Sequence, residues 1–353
     1  MELLLIYSIY SITLSLFILN CFIKIDSKIV YVFLLLCFTF AAFRGDFFPD
    51  YSEYVSIYNG ICSSNSINVI FDNSLHGEIG FKLINYLTCD ANSALPMFVL
   101  MSSFSFLLYT LICSRFDINP LISWVIYFPY AFLLKDMAQI RNAVASLLIV
   151  YALLNVQRLK SIFIIFFSSL FFQTYALSAL PFIKSALSRR KKIFYILATL
   201  MLLMMPSLAF TDLLVLGIGT HDVARYEQTE YINGNSNIQK FKSAFIFIAL
   251  MFFSFKWYYT DNRVRALIVG YFGGFFYYVI FNNVPIISQR LGGYLTAVEP
   301  FLISLLYTHI MSMGNRKGEL LIKISYFIFI IGLSFVYFYT NMTTREFLIN
   351  LKM

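Results

Sequence analysis

Arg44, Arg141 and Arg290 stand within or at the ends of long apolar stretches of this 353-residue chain, and a fourth arginine, Arg225, lies in a polar loop after another such stretch. A permanent charge at membrane depth is costly, so its position carries more information than it would in a soluble protein. A guanidinium forks onto phosphate oxygens, and several converging from different segments would suit a diphosphate group at a membrane surface. Singly, each arginine is also explained by snorkelling at the end of an apolar run, paired with Asp46, Asp136 or Glu227. Arg44, Arg141 and Arg290 taken together favour function. The carboxylates on the same face are Asp46, Asp50, Glu53, Glu78, Asp136, Asp222, Glu227 and Glu230. A catalytic base must lie within hydrogen-bond reach of the hydroxyl it deprotonates. Asp46 and Asp50, beside Arg44, are the first choices, with Glu78 as a further catalytic candidate. The bland alternatives are that Asp50 only favours a helix N-terminus and that Glu78 only pairs with Lys82 four residues on.

The three histidines, His76, His221 and His309, lack the spacing of a metal site, and there is no zinc-type CxxC, no HExxH and no glycine-rich phosphate loop. No metal and no cofactor are expected. Gly273-Gly274 and Gly292-Gly293 read as close helix packing rather than nucleotide binding. The net charge of +8 comes from basic residues scattered through short loops, which reads as a topology signal, and no nucleic-acid partner is expected.

These residues must be positioned by helices that lie in lipid. The chain is 60% hydrophobic and only 12% charged, so it reads as an all-α integral membrane protein, a single polytopic domain over 1–353. Apolar runs long enough to cross a bilayer lie near 3–22, 29–43, 95–114, 118–134, 138–156, 193–216, 241–258, 265–282, 291–312 and 324–341, about ten full spans. The first run lacks a basic leader and a small-residue cleavage site, so it is expected to stay as a span. Short loops with Lys24, Lys28, Arg115, Arg158, Lys160, the run Arg189 to Lys192, Lys256, Arg263, Arg265, Arg316, Lys317 and Lys323 are assigned to the cytoplasm. Both termini, the 44–94 loop, the 217–240 loop and the turn from Asn282 to Arg290 then face outward.

Residues 161–187 are apolar but flanked by basic residues on both sides, which suits a re-entrant or short helical hairpin with Gln173-Thr174-Tyr175 at its tip. In the 44–94 loop, Pro49, Asp50 and Glu53 predict a helix start and Asn59-Gly60 a stop, with Tyr51, Tyr54, Val55 and Tyr58 on one face. A second amphipathic helix is predicted near Gly77 to Thr88, with Glu78, Lys82 and Asn85 on one stripe and Ile79, Leu83, Tyr86 and Leu87 on the other. Both are expected to lie on the outer membrane interface. Cys62 and Cys89 share this loop and are either free or, in an oxidising compartment, paired.

The string Phe43-Arg44-Gly45-Asp46 with Asp50-Tyr51 and Tyr54 resembles the first outer loop of EpsG-like polysaccharide polymerases, a group that includes many Wzy-type O-antigen polymerases. The stretch from Glu78 to Tyr86, Gln139-Ile140-Arg141-Asn142, and Gln289-Arg290 with Tyr294 are similar to later patches of that family. Gln173 departs from it, standing where the family often has a histidine, and glutamine cannot act as a general base. The resemblance implies a GT-C-like polymerase architecture and joining of undecaprenyl-diphosphate-linked oligosaccharide repeats at the periplasmic face of a bacterial inner membrane. The residues fit that reaction physically, with Arg44, Arg141, Arg225 and Arg290 as the diphosphate-binding candidates and Tyr51, Tyr54, Gln173 and Gln289 as the sugar-contact candidates. The lipid-linked oligosaccharide and the bilayer are the partners implied, with a chain-length regulator protein as a further candidate. A flippase for the same lipid would want arginines along a path through the bilayer rather than at one face. An O-antigen ligase-like transferase would differ only in its acceptor, and a purely structural component would explain neither the arginines nor the loop helices.

Overall fold

The computed structural model describes residues 2–23, 25–48, 50–64, 66–72, 75–89, 93–155, 157–186, 237–254, 256–281, 285–314 and 317–342. Among them every regular element is helical. Two helices, α1 (Glu2–Phe22) and α2 (Ser27–Ala42), precede two short loop helices, α3 (Tyr51–Cys62) and α4 (Ile79–Leu87), which are separated by a 3-10 turn at Ile67–Phe71. Next come α5 (Leu95–Arg115), α6 (Pro120–Tyr127), a π-helical stretch (Phe128–Asp136) and α7 (Ile140–Leu154). α8 (Arg158–Phe171), a 3-10 segment (Thr174–Ala179) and α9 (Leu180–Ala186) follow. The last five are α10 (Asn237–Ser254), α11 (Asn262–Ile280), α12 (Pro285–Thr296), α13 (Glu299–Met311) and α14 (Lys317–Met342).

Four helical runs are long and apolar enough to cross a bilayer: Glu2–Phe22, Leu95–Arg115, Ser288–Met311 and Lys317–Met342. Shorter apolar helices cover Ser27–Ala42, Ile140–Leu154, Thr174–Ile183 and Phe245–Ser254. This suits a helical membrane protein, with four of the ten expected spans present at full crossing length among the described residues. The expected span 193–216, most of the 217–240 loop and Arg225 lie outside the described residues, and α10 begins at Asn237, inside that expected loop. Ser288–Met311 is enclosed by the rest of the chain, whereas the other three long runs turn most of their surface outward. α7 is buried on nearly every side and forms the axis on which the rest is assembled.

The expected span 118–134 is not one regular helix. Asn119 caps α6 by accepting from the Leu121 and Ile122 amides, and Pro120 occupies the first turn. Pro129 then removes a backbone donor, and the chain widens into i→i−5 bonds, from Met137 N to Phe132 O (2.9 Å) and from Gln139 N to Leu134 O (3.1 Å). Asn341 of α14 donates its amide to the Pro129 carbonyl. The wide turn carries Lys135 and Asp136 inward, and Asp136 is fully buried, accepting from Tyr127 Oη at 2.7 Å.

Helix packing explains the glycine pairs. Cβ atoms built on Gly274 and Gly292 would each come within 2.9 Å of the other residue's carbonyl or its neighbour's backbone, so α11 and α12 touch backbone to backbone there. Gly273 gives way to the Phe182 ring, while Gly293 has open space around it.

The loop helices differ from expectation in two ways. α3 does not stop at Asn59-Gly60 but continues to Cys62, which is joined by a disulfide to Cys89 just beyond α4. Asp50 stands before α3 in the left-handed region (φ 62°), where its carbonyl accepts from the Tyr54 amide at 3.0 Å but its side chain does not cap the helix; Pro49 lies outside the described residues. α4 is turned over: Phe81, Lys82 and Asn85 face the protein, while Ile79 and Leu87 are exposed. Lys82 Nζ donates to the Asp72 carbonyl at 2.6 Å, and the ion pair made by Glu78 is with Arg141, not Lys82. In lipid the apolar face is the one that belongs outside, so an amphipathic helix docked on a membrane protein buries its polar stripe against polar partners.

The disulfide closes a 27-residue separation and clamps α3 to α4. Replacing both cysteines with serine is expected to lower stability by about 3 kcal/mol. Mass spectrometry after alkylation without reductant is expected to find Cys62 and Cys89 unmodified; modification of both in native protein would contradict the pairing.

Candidate functional site

The four sequence patches meet around the first turn of α7. Gly77 enters α4 at φ +125°, a conformation that L side chains rarely adopt, and a Cβ there would lie 3.3 Å from Phe81 and 3.6 Å from Arg141 Nη1. That turn delivers the next residue, Glu78, to Arg141. Arg141 Nη1 donates to Glu78 Oε2 at 2.7 Å, with side chains only 10% and 13% exposed. Glu78 Oε1 accepts from the Thr174 amide at 3.3 Å. Both carboxylate oxygens are therefore engaged, one by α7 and one by the segment after α8. The Arg141 guanidinium lies over the Phe81 ring (5.2 Å) and the Tyr54 ring (5.8 Å), so its charge is screened from water by aromatic faces.

One residue further on, Asn142 is a hub. Its Oδ1 accepts from Gln173 Nε2 at 2.9 Å and from the Tyr294 hydroxyl, and its Nδ2 donates to Gln139 Oε1 at 2.6 Å. Gln173 reaches it because α8 breaks at Phe172, where backbone bonds from Phe172 and Gln173 both fold back on the Ser168 carbonyl. The chain then continues as the 3-10 segment, which sets Tyr175 under the Arg290 guanidinium at 5.4 Å. Arg290 and Tyr294 stand one turn apart on α12, with Gln289 exposed beside them.

Lys135 completes the cluster. Its ammonium donates to Ser146 Oγ and to the Gly293 carbonyl, both at 2.8 Å, and lies 5.7 Å from the centre of the Tyr294 ring. α12 is held from below as well: Tyr130 Oη donates to Thr296 Oγ1 at 2.6 Å and packs on Tyr337, whose hydroxyl donates to the buried Glu299 at 2.6 Å. Lys135 is missing from the sequence-based candidates. A lysine and an aspartate side by side just after a proline-interrupted apolar run are the signal that points to it.

Arg44 is 95% buried by its 5% exposure and joins the cluster through aromatic rings. Its guanidinium lies 4.9 Å from the Phe98 ring centre and donates to Ser102 Oγ at 3.4 Å. Tyr51 stacks on Phe98 at 5.2 Å, and Tyr54 meets Phe98 and Phe81 edge to face. Tyr54 is buried, so the two tyrosines form the wall between Arg44 and Arg141. Asp46 and Asp50 are exposed at the entry to α3, and the loop carboxylate brought into the cluster is Glu78.

The arrangement offers three cations, Arg141, Arg290 and Lys135, within one constellation of hydrogen bonds and ring contacts. A carboxylate and the side-chain amides of Gln173 and Asn142 stand among them. Such a set can bind a large anion next to a hydroxyl-bearing group and accept a proton beside it. The EpsG family profile matches residues 27–353. No curated protein and no solved structure matches the chain.

Proposed function

The chain belongs to the EpsG family of polysaccharide polymerase-type proteins, and from that premise we propose that it joins polyprenyl-diphosphate-linked oligosaccharide repeats by glycosyl transfer. In this reading a hydroxyl of one repeat attacks the anomeric carbon of the growing chain. A new glycosidic C–O bond forms, the bond from that carbon to the diphosphate oxygen breaks, and polyprenyl diphosphate leaves with the electron pair. Arg141, Arg290 and Lys135 stabilise the charge developing on the leaving group, with Arg44 adding to the positive field from behind the tyrosine wall.

The observation that carries the proposal is the Glu78–Arg141 pair. An incoming diphosphate competes with Glu78 for the Arg141 guanidinium. Once Arg141 turns to the diphosphate, the Glu78 carboxylate is free to take the proton of the attacking hydroxyl. Substrate binding and base release are thereby one event. Gln173 and the ring of Tyr51 are assigned to sugar contacts. The disulfide between α3 and α4 supports placing this end of the molecule in an oxidising, periplasmic compartment, and O-antigen polymerisation at the inner membrane is the specific form proposed. A flippase is disfavoured because Arg141, Arg290 and Lys135 converge with Glu78 on one constellation at the head of α7 rather than line a continuous path along it.

Purified protein supplied with synthetic lipid-diphosphate-linked repeats is expected to form a ladder of chain lengths, and Arg290→Ala to leave single repeats. A full ladder from Arg290→Ala and Arg44→Ala alike would overturn the assignment of the site.

A further inference from the structure

At the other end of α7, about 20 Å from Arg141 at the helical rise, a cavity of 720 Å³ opens between the α5–α6 turn, the end of α7, the start of α11 and the end of α13. Its wall is apolar at Phe116, Leu153, Leu154 and Ala266, and polar at Asn155, Thr260 and Asn262. Four ionisable groups line it as well: Asp261, Arg263, Arg265 and His309.

Basic residues in short loops need no explanation beyond topology, but that role is served by an exposed, snorkelling side chain. Arg265 is only 4% exposed, and its Nη2 donates to Asn262 Oδ1 at 2.7 Å. Asp261 is organised in the same way. Its carboxylate accepts from Arg263 Nε (3.2 Å) and Nη2 (2.9 Å) and pairs with His309 Nε2 at 2.9 Å, and the imidazole stacks on Trp257. Burial alone would raise the Asp261 carboxyl, yet the hydrogen bonds from Arg263 and His309 hold it below its ordinary value, so it stays charged and keeps both partners aimed. Arg263 Nη1 is fixed further by the Phe116 carbonyl at 2.7 Å. Arg263 is shared between Asp261 and, from outside the lining, Asp117 at 3.7 Å, so the positive character of the lining rests on Arg265, whose Nη2 donates to the neutral Asn262 side-chain amide. The volume lies in the range of pockets that take small organic ligands, about 300–1,000 Å³, and is far larger than an inorganic anion fills. A positive rim beside an apolar wall fits a molecule that is anionic at one end and hydrocarbon at the other.

We propose that this cavity binds the phosphate headgroup and proximal chain of an anionic membrane amphiphile, at the end of the bundle opposite the polar cluster. The inference is independent of the glycosyl-transfer reading. The test is native mass spectrometry and titration of the purified full chain in detergent, with dioctanoyl phosphatidylglycerol, dioctanoyl phosphatidylcholine and inorganic phosphate as probes. Saturable binding of phosphatidylglycerol, at least tenfold tighter than phosphatidylcholine and not displaced by equimolar phosphate, is expected. Thr260→Trp fills the mouth from an exposed position, and Arg263→Gln removes a cation; each is expected to weaken that binding at least tenfold. Equal binding of the two lipids would overturn the proposal, as would displacement by inorganic phosphate at matched concentration. So would unchanged affinity in Thr260→Trp, whose exposed site leaves the fold intact.

Discussion

Arg141→Ala is expected to yield a protein that inserts into the membrane and makes no polymer. Two losses combine. Removing one electrostatic contact to a developing oxyanion costs on the order of 10²–10³ in rate, and here the same guanidinium also holds the carboxylate assigned to proton transfer. The substitution strands Glu78 in a pocket where it is only 13% exposed, and breaking a buried pair from one side costs about 3–5 kcal/mol. Thermal unfolding in detergent separates the two effects. Arg141→Ala should unfold earlier than the parent, whereas Arg141→Ala with Glu78→Ala, which removes both charges, should recover most of that stability and none of the activity. Arg141→Lys keeps a charge but loses the fork and is expected to hold stability better than activity. A normal chain-length ladder from Arg141→Ala would remove Arg141 from the site. A double variant no more stable than the single one would show that Glu78 does not depend on this partner.

Much of this was legible because lipid imposes simple rules. The runs that became α1, α5, the continuous α12–α13 stretch from Ser288 to Met311 and α14 are readable from length and apolarity alone, since a helix is one of the few ways to satisfy a backbone in hydrocarbon. The helix over Tyr51–Cys62 is readable too, from its acidic first turn and its tyrosine spacing. What could not be read is which way a helix faces and whom its charges meet. Local spacing offers Glu78 a partner at Lys82, four residues on, but the true partner is Arg141, 63 residues away, and only tertiary packing can choose between them. The polar stripe of α4 suggests a face for water, whereas docking against α8 and Arg141 makes it the inner face. Pro129 announces a break in its apolar run, yet nothing local says that the break opens as a π-turn that carries Lys135 to Gly293. The cluster at the head of α7 is thus foreshadowed by its short motifs and assembled by contacts that those motifs do not contain.

Gly80→Ala is the second large effect expected, and it tests that assembly without touching a charge. A Cβ on Gly80 would fall inside the backbone and ring of Phe171, the last residue of α8, so α4 must move away from the break that carries Gln173 and Thr174. The nearest obstacle includes main chain, which cannot rotate aside as a flexible side chain would. Overpacking of this kind costs about 1–3 kcal/mol, and displacement of α4 pulls Glu78 away from the Thr174 amide and from Arg141 together. Activity is expected to fall at least tenfold in Gly80→Ala and further in Gly80→Val, with the membrane helices unaffected. Trypsin gives a direct reading of the movement. Lys82 is 3% exposed in the native fold and should resist cleavage there, but become a cleavage site when α4 lifts. Gly60→Ala is the control. Its Cβ meets only the end of the Leu75 side chain, at 3.2 Å, and alanine is the better helix former by about 1 kcal/mol, so both activity and trypsin resistance should be retained. If Gly80→Ala matched the parent in activity and in protection of Lys82, the close approach of α4 to α8 would not be what holds Glu78 in place.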